Sequence, residues 1–129
     1  MNRIPQRSKK QKLLPLLVAL CGIAPGHVFG ALYPVEQNSN PSGLVSTSAI
    51  IEGGQTYQSI DPQLNKNGYT FGYWAIDGVR QQGADGRSLT RVSSVINAES
   101  NYTAYYYGDN VDSDGDGVKD WFEYRMFGD

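Results

Sequence analysis

Tyr69-Thr70-Phe71-Gly72-Tyr73-Trp74-Ala75-Ile76 is a run of aromatic and β-branched residues, set between Asn67-Gly68 on one side and Asp77-Gly78 on the other. A run of this composition between two turn-forming dipeptides reads as a β-strand. The period of two puts Tyr69, Phe71, Tyr73 and Ala75 on one face, and Thr70, Gly72, Trp74 and Ile76 on the other. Working outward, Tyr102 to Tyr107 is the other strong strand, with Tyr102, Ala104 and Tyr106 opposite Thr103, Tyr105 and Tyr107, so that both of its faces are aromatic. Shorter strands are expected at Ala49-Ile50-Ile51 before the Glu52-Gly53-Gly54 turn, within Gln55 to Ile60, and within the β-branched run Thr90 to Ile96. Asp61-Pro62, Gly83 and Asp85-Gly86 separate them. Asn38-Ser39-Asn40-Pro41-Ser42-Gly43 has loop composition, so residues 31–43 read as a linker and residues 44–107 as one small, mostly β domain.

Beyond this domain, Asp112 to Glu123 reads Asp-Ser-Asp-Gly-Asp-Gly-Val-Lys-Asp-Trp-Phe-Glu. Carboxylates at alternate positions, a glycine at the sixth and a glutamate at the twelfth form the pattern of a calcium loop. A chain curling around one ion turns every second side chain inward, so Asp112, Asp114 and Asp116 converge. Gly117 makes the sharp turn, Val118 offers its carbonyl, Asp120 holds a bridging water, and Glu123 closes the shell with both oxygens. Ca2+ is the expected ion. Asp120 to Phe127 then reads as about two helical turns, and its Trp121, Phe122, Tyr124, Met126 and Phe127 present more apolar surface than so short a helix can hide, so it is expected to pack against the sheet or against a partner.

The first thirty residues have the parts of an export signal: Arg3, Arg7, Lys9, Lys10 and Lys12, then the apolar stretch Leu13 to Ala24, then a small-residue exit that places cleavage between Gly30 and Ala31. The apolar stretch is shorter than the roughly 20 residues that span a bilayer, so membrane contact is expected only through this segment before its removal. Cys21 and His27, the single cysteine and single histidine, leave with it. The remaining chain then lacks thiol and imidazole, which excludes Ser-His-Asp and Cys-His nucleophiles, disulfides and the usual Cys/His zinc sites. The segment also carries five of the eleven bases and none of the thirteen acids, leaving six bases against thirteen acids, a net charge of −7. No nucleic-acid partner is expected for such a chain. Seven of those acids fall between Asp109 and Asp129, against Lys119 and Arg125. The acids elsewhere, Glu36, Glu52, Asp61, Asp77, Asp85 and Glu99, show no spacing that pairs two of them for acid–base work, and no enzymatic activity is expected.

The run Gly68 to Trp74, the Asp77-Gly78 turn and the later Asn101-Tyr102-Thr103-Ala104-Tyr105-Tyr106 resemble the internalin-type B-repeat of bacterial surface proteins, over about Leu44 to Tyr107. The order Gly72-Tyr73 is inverted relative to that family. The resemblance implies a β-grasp-like α+β domain and a role in surface display or spacing. The loop in 108–129 is similar to the calcium loops of EF-hands, dockerins and thrombospondin type-3 repeats, which implies an extracellular structural site with a dissociation constant on the order of 0.1 to 1 mM.

The expectation is therefore a secreted or surface-displayed bacterial module, mostly β with a C-terminal calcium loop and short helix, whose partners are calcium and a cell-surface protein or polysaccharide. Two alternatives stand beside it. One is a carbohydrate-binding module with a platform of Tyr102, Tyr105, Tyr106 and Tyr107; the other is an amino-terminal fragment of a longer surface protein.

Overall fold

The computed structural model describes residues 30–129; the expected export signal lies outside the described residues apart from Gly30. Eight strands and one helix follow in order: β1 (Leu32–Asn40), β2 (Ser46–Glu52), β3 (Thr56–Gln58), β4 (Asn65–Lys66), β5 (Tyr69–Ile76), β6 (Val79–Arg80), β7 (Ser93–Val95), β8 (Ser100–Gly108) and α1 (Asp120–Met126). The fold is mostly β with one short helix, as expected. The main sheet has the order β2-β1-β8-β5-β4, with β6 pairing the far end of β5. At its centre β1 and β8 run parallel, while every other pairing is antiparallel. Among the described residues no helix is long and apolar enough to cross a membrane.

The turn signals around β5 do what their chemistry demands. Asn67 (φ 54°) and Gly68 (φ 85°) join β4 to β5, and Asp77 (φ 49°) and Gly78 (φ 87°) join β5 to β6, both pairs in the left-handed region that tight hairpins require. Asp77 also accepts the Asn101 amide at 2.8 Å, tying that turn to β8.

The expected linker, 31–43, is corrected: it contains β1, which lies beside β8 in the middle of the sheet. Its inward positions are Val35, Gln37 and Ser39, and the last two are polar, so hydrophobic alternation does not reveal them. They are buried because they are bonded. Gln37 donates to Tyr57 Oη and accepts from the Ile60 amide, both at 2.8 Å, and Ser39 Oγ accepts from the amides of Leu44 and Val45.

A second correction concerns the faces of β5. The register slips between Phe71 and Tyr73, so Phe71 lies opposite Tyr106, Tyr73 opposite Tyr105 and Trp74 opposite Ala104. Gly72 is the extra residue of a bulge. Phe71 and Trp74 consequently share the core face with Tyr102, Ala104 and Tyr106, while Tyr73 turns to the other side. The segments bearing β3 and β7, themselves paired, close over the core face: Tyr57 meets Tyr102 edge-on at 5.7 Å, and Trp74 Nε1 donates to Thr90 O at 2.8 Å. Phe71, Trp74, Val35, Ile96, Tyr102 and Ala104 are fully buried there. The opposite face of β5 and β8 is covered by α1.

Candidate metal centre

From Gly108 the chain leaves the sheet and folds the acidic loop on itself. Asp112 organises it, accepting the Gly115 amide on Oδ1 at 2.9 Å and the Gly117 amide on Oδ2 at 2.8 Å. Asp114 accepts the Asp116 amide, and Asp116 the Val118 amide, so each carboxylate bonds the chain two residues on. Gly115 (φ 73°) and Gly117 (φ 93°) occupy backbone conformations that a side chain would strain.

This winding brings a carboxylate oxygen from each of Asp112, Asp114, Asp116 and Glu123 within 4.8 Å of one another, the only such grouping of potential metal ligands among the described residues. Glu123 arrives from the first turns of α1, with its amide bonded to Lys119 O at 3.1 Å. Its Oε2 is shielded from solvent and has no hydrogen-bond donor among the described residues. A shielded carboxylate oxygen without a partner is costly unless a cation serves it. The nearby bases do not: Lys119 Nζ bonds Asn110 Oδ1, and Arg125 is spent on Phe71 O.

Asp120 lies outside the four-carboxylate group, as a contact made through a water allows, and it accepts from Ser113, the amide at 2.8 Å and the hydroxyl at 2.6 Å. The Asp120 amide in turn donates to Val111 O at 2.8 Å. Asp120 thus ties the entry of the loop to the start of α1. The Val118 amide is given to Asp116, and its carbonyl is the atom the loop pattern assigns to an ion.

The electrostatics carry the mark of crowded negative charge. Desolvation, then the charges of Asp114, Asp116, Asp120 and Asp112, raises Glu123 above its ordinary 4.5. For Asp114 the Asp116 amide pulls down, but desolvation and the Asp112 and Asp116 carboxylates outweigh it, and it is raised above 3.8. Asp112 goes the other way, lowered chiefly by the Gly117 amide. Raised carboxylates favour the fold fully below their ordinary values and lose that contribution as pH rises through the raised ones; Asp112 matters only as pH falls below 3.8. In chelator, amides of α1 should therefore exchange more slowly as pH falls from neutral toward 4.5, after correction for intrinsic rates. Saturating divalent cation at neutral pH should abolish the difference.

The helix is fixed to the sheet at the β5 bulge. A bulge frees carbonyls from the ladder. Arg125 donates to Phe71 O from Nη2 at 2.6 Å and Nε at 3.2 Å, and Ser88 Oγ donates to Gly72 O at 2.7 Å. Arg80 reaches from β6 to the last carbonyls of α1, donating to Tyr124 O at 2.9 Å and Arg125 O at 3.1 Å. Tyr124 stacks on Tyr107 at 4.5 Å, nearly parallel, above Gly72, where a Cβ would come within 2.7 Å of the Tyr107 ring. The apolar side chains of 120–127 call for a surface to pack on, and the sheet supplies it; the residues that fix the contact are not legible beforehand, the one local signal being Gly72, a glycine inside an aromatic strand.

The proposed tyrosine platform is taken apart by the same packing. Tyr102 and Tyr106 belong to the core, Tyr107 lies against Tyr124, and Tyr105 stacks on Tyr73 at 4.7 Å. Of the acids elsewhere, Glu52 accepts the Gly30 amide, Asp77 caps Asn101, and Asp85 pairs with Arg87 at 3.9 Å. Comparison with known protein families, with curated proteins and with solved structures gives no match.

Proposed function

We propose that this chain is an exported, non-catalytic surface module in which a calcium ion, held by Asp112, Asp114, Asp116, the Val118 carbonyl and Glu123, locks the C-terminal helix onto the β-sheet. The observation that carries this reading is the convergence of four carboxylates within 4.8 Å, one of them with a shielded oxygen that has no partner among the described residues. The donor set is all oxygen, which suits a hard cation over zinc or copper, and a flexible loop with several carboxylates suits calcium better than the stricter octahedron of magnesium.

Glu123 connects the ion to the fold, because it lies on the same two-turn helix as Arg125 and Tyr124, which grip the sheet. An ion at Glu123 therefore stabilises the docked helix by mass action. The export signal at 1–30 and the resemblance of 44–107 to a surface repeat support display outside the cell, in adhesion or spacing. A cell-surface protein or polysaccharide is the proposed macromolecular partner.

Titration calorimetry of residues 31–129 tests the metal reading. Calcium should bind at one site with a dissociation constant on the order of 0.1 to 1 mM, magnesium much more weakly. Glu123→Gln, which keeps the shape and removes the charge, should weaken calcium at least about tenfold, the lower end of what loss of even an outer-shell partner costs. Absence of calcium binding in the unsubstituted protein at about 10 mM, beyond the weakest extracellular loops, would overturn the reading.

A further inference from the structure

The two edges of the main sheet are finished differently. On one side β5 is covered by β4 and β6, two-residue strands that bring Lys66 and Arg80. Very short strands stop a sheet edge from recruiting another chain, whereas the two basic side chains are spent within the chain, Lys66 on Leu44 O and Arg80 on the last carbonyls of α1. On the other side β2 runs Ser46-Thr47-Ser48-Ala49-Ile50-Ile51-Glu52, with no proline, no lysine and no break in its register against β1. Among the described residues nothing pairs with its outer side.

The register shows which backbone groups face out. The Gly53 amide donates to Ala31 O at 2.8 Å, and bonded pairs in an antiparallel ladder recur at every second residue. Thr47, Ala49 and Ile51 therefore bond β1, and the amides and carbonyls of Ser46, Ser48 and Ile50 and the amide of Glu52 point away from the sheet, while the Glu52 carbonyl accepts the Gln55 amide at 3.1 Å. Ser46, Ser48 and Ile50 are exposed, Ile50 at 45%.

We propose that this edge pairs antiparallel with β2 of a second copy, about a two-fold axis at Ala49, joining the two main sheets into one. Self-complementarity selects a second copy as the occupant. With the axis at Ala49 the whole strand overlaps: Ser46 faces Glu52, Thr47 faces Ile51, Ser48 faces Ile50, and Ala49 faces itself. Every outward-facing residue then meets another outward-facing one, and a shift of one residue would set outward amides against inward ones. The single charge, Glu52, lies opposite a serine hydroxyl, so no like charges oppose. The closest approach in the ladder falls on the small Ala49 pair. Ile50 finds its symmetry mate diagonally across the axis. An interface of one strand is small, so the dimer is reversible and of the weak class.

The test uses protein expressed from the full sequence, followed by sedimentation velocity over a wide concentration range. A monomer–dimer equilibrium is expected. Ser48→Pro removes an outward amide without taking a bond from β1, and should give monomer at every concentration with circular dichroism and calcium binding unchanged. In a Cys21→Ser background, Ala49→Cys should yield a disulfide-linked dimer in oxidising buffer, because the two Cα atoms of such a pair lie about 4.5 Å apart, within disulfide reach. Ser46→Cys, facing Glu52, should yield little. A monomer throughout with no preferential cross-link at 49 overturns the proposal, and so does a dimer that survives Ser48→Pro.

Discussion

Trp74→Ala is expected to cost about 3 to 5 kcal/mol of folding stability, enough to bring a domain of ordinary stability close to unfolding. Trp74 is fully buried at the point where the main sheet, the β7 segment and the aromatic core meet, with Phe71 at 6.2 Å and Tyr102 at 6.5 Å. Truncation leaves a large cavity, and it also deprives Thr90 O of the indole donor at 2.8 Å. The second loss distinguishes Trp74→Phe, which refills much of the volume but leaves the carbonyl unpaired, and should cost about 1 to 3 kcal/mol. Urea unfolding in saturating calcium measures both. A cost for Trp74→Ala below about 1 kcal/mol would contradict the core described here.

Arg125→Met is expected to release α1 while leaving the sheet folded. The substitution keeps an unbranched apolar stem but removes both bonds to Phe71 O and the guanidinium 5.0 Å over the Trp121 ring. Burial lowers Arg125 from its ordinary value, yet a guanidinium remains charged at any physiological pH, so the lost bonds are charge-assisted. An unpaired carbonyl at the bulge costs about 1 to 3 kcal/mol. For a two-turn helix that has no stability of its own, this shifts the docked population strongly. Hydrogen exchange should show residues 120–127 losing protection while β1, β5 and β8 keep theirs, and calcium affinity should fall with it, since Glu123 is no longer delivered to the loop. Unchanged protection of α1 would mean that Tyr124 and Arg80 suffice to hold it.

What the sequence reveals follows from how local each cause is. Asn67-Gly68 and Asp77-Gly78 are legible because their left-handed backbone angles are a property of the dipeptides themselves. The acidic loop is legible for the same reason: Asp112 bonds Gly115 and Gly117 within one short stretch, and the alternation of carboxylates needs no outside partner. β1 escapes because its inward Gln37 and Ser39 owe their burial to Tyr57, Ile60, Leu44 and Val45, residues that only the folded chain brings near. The faces of β5 are read correctly up to Phe71 and inverted afterwards, since a one-residue bulge exchanges every later side chain between faces. Asp120 is read as a water-bridging ligand because its offset in the loop fits, and its bonds to Ser113, which form only when the loop closes, are not legible beforehand. The roles of Arg80 and Arg125 depend on carbonyls freed by the bulge and at the helix end, and a bare arginine in a sequence carries no sign of them.

If a cation in the acidic loop holds α1 on the sheet, as proposed, the fluorescence of Trp121 during a calcium titration of residues 31–129 should report it. Trp74 is sealed in the core and should emit constantly, whereas Trp121 sits on α1 beside Arg125, next to the loop. A saturable change near millimolar calcium, lost in Trp121→Phe and in Asp112→Ala, is the predicted result. A Trp121 signal that stays flat to about 10 mM calcium, or a response that survives Asp112→Ala, would contradict it.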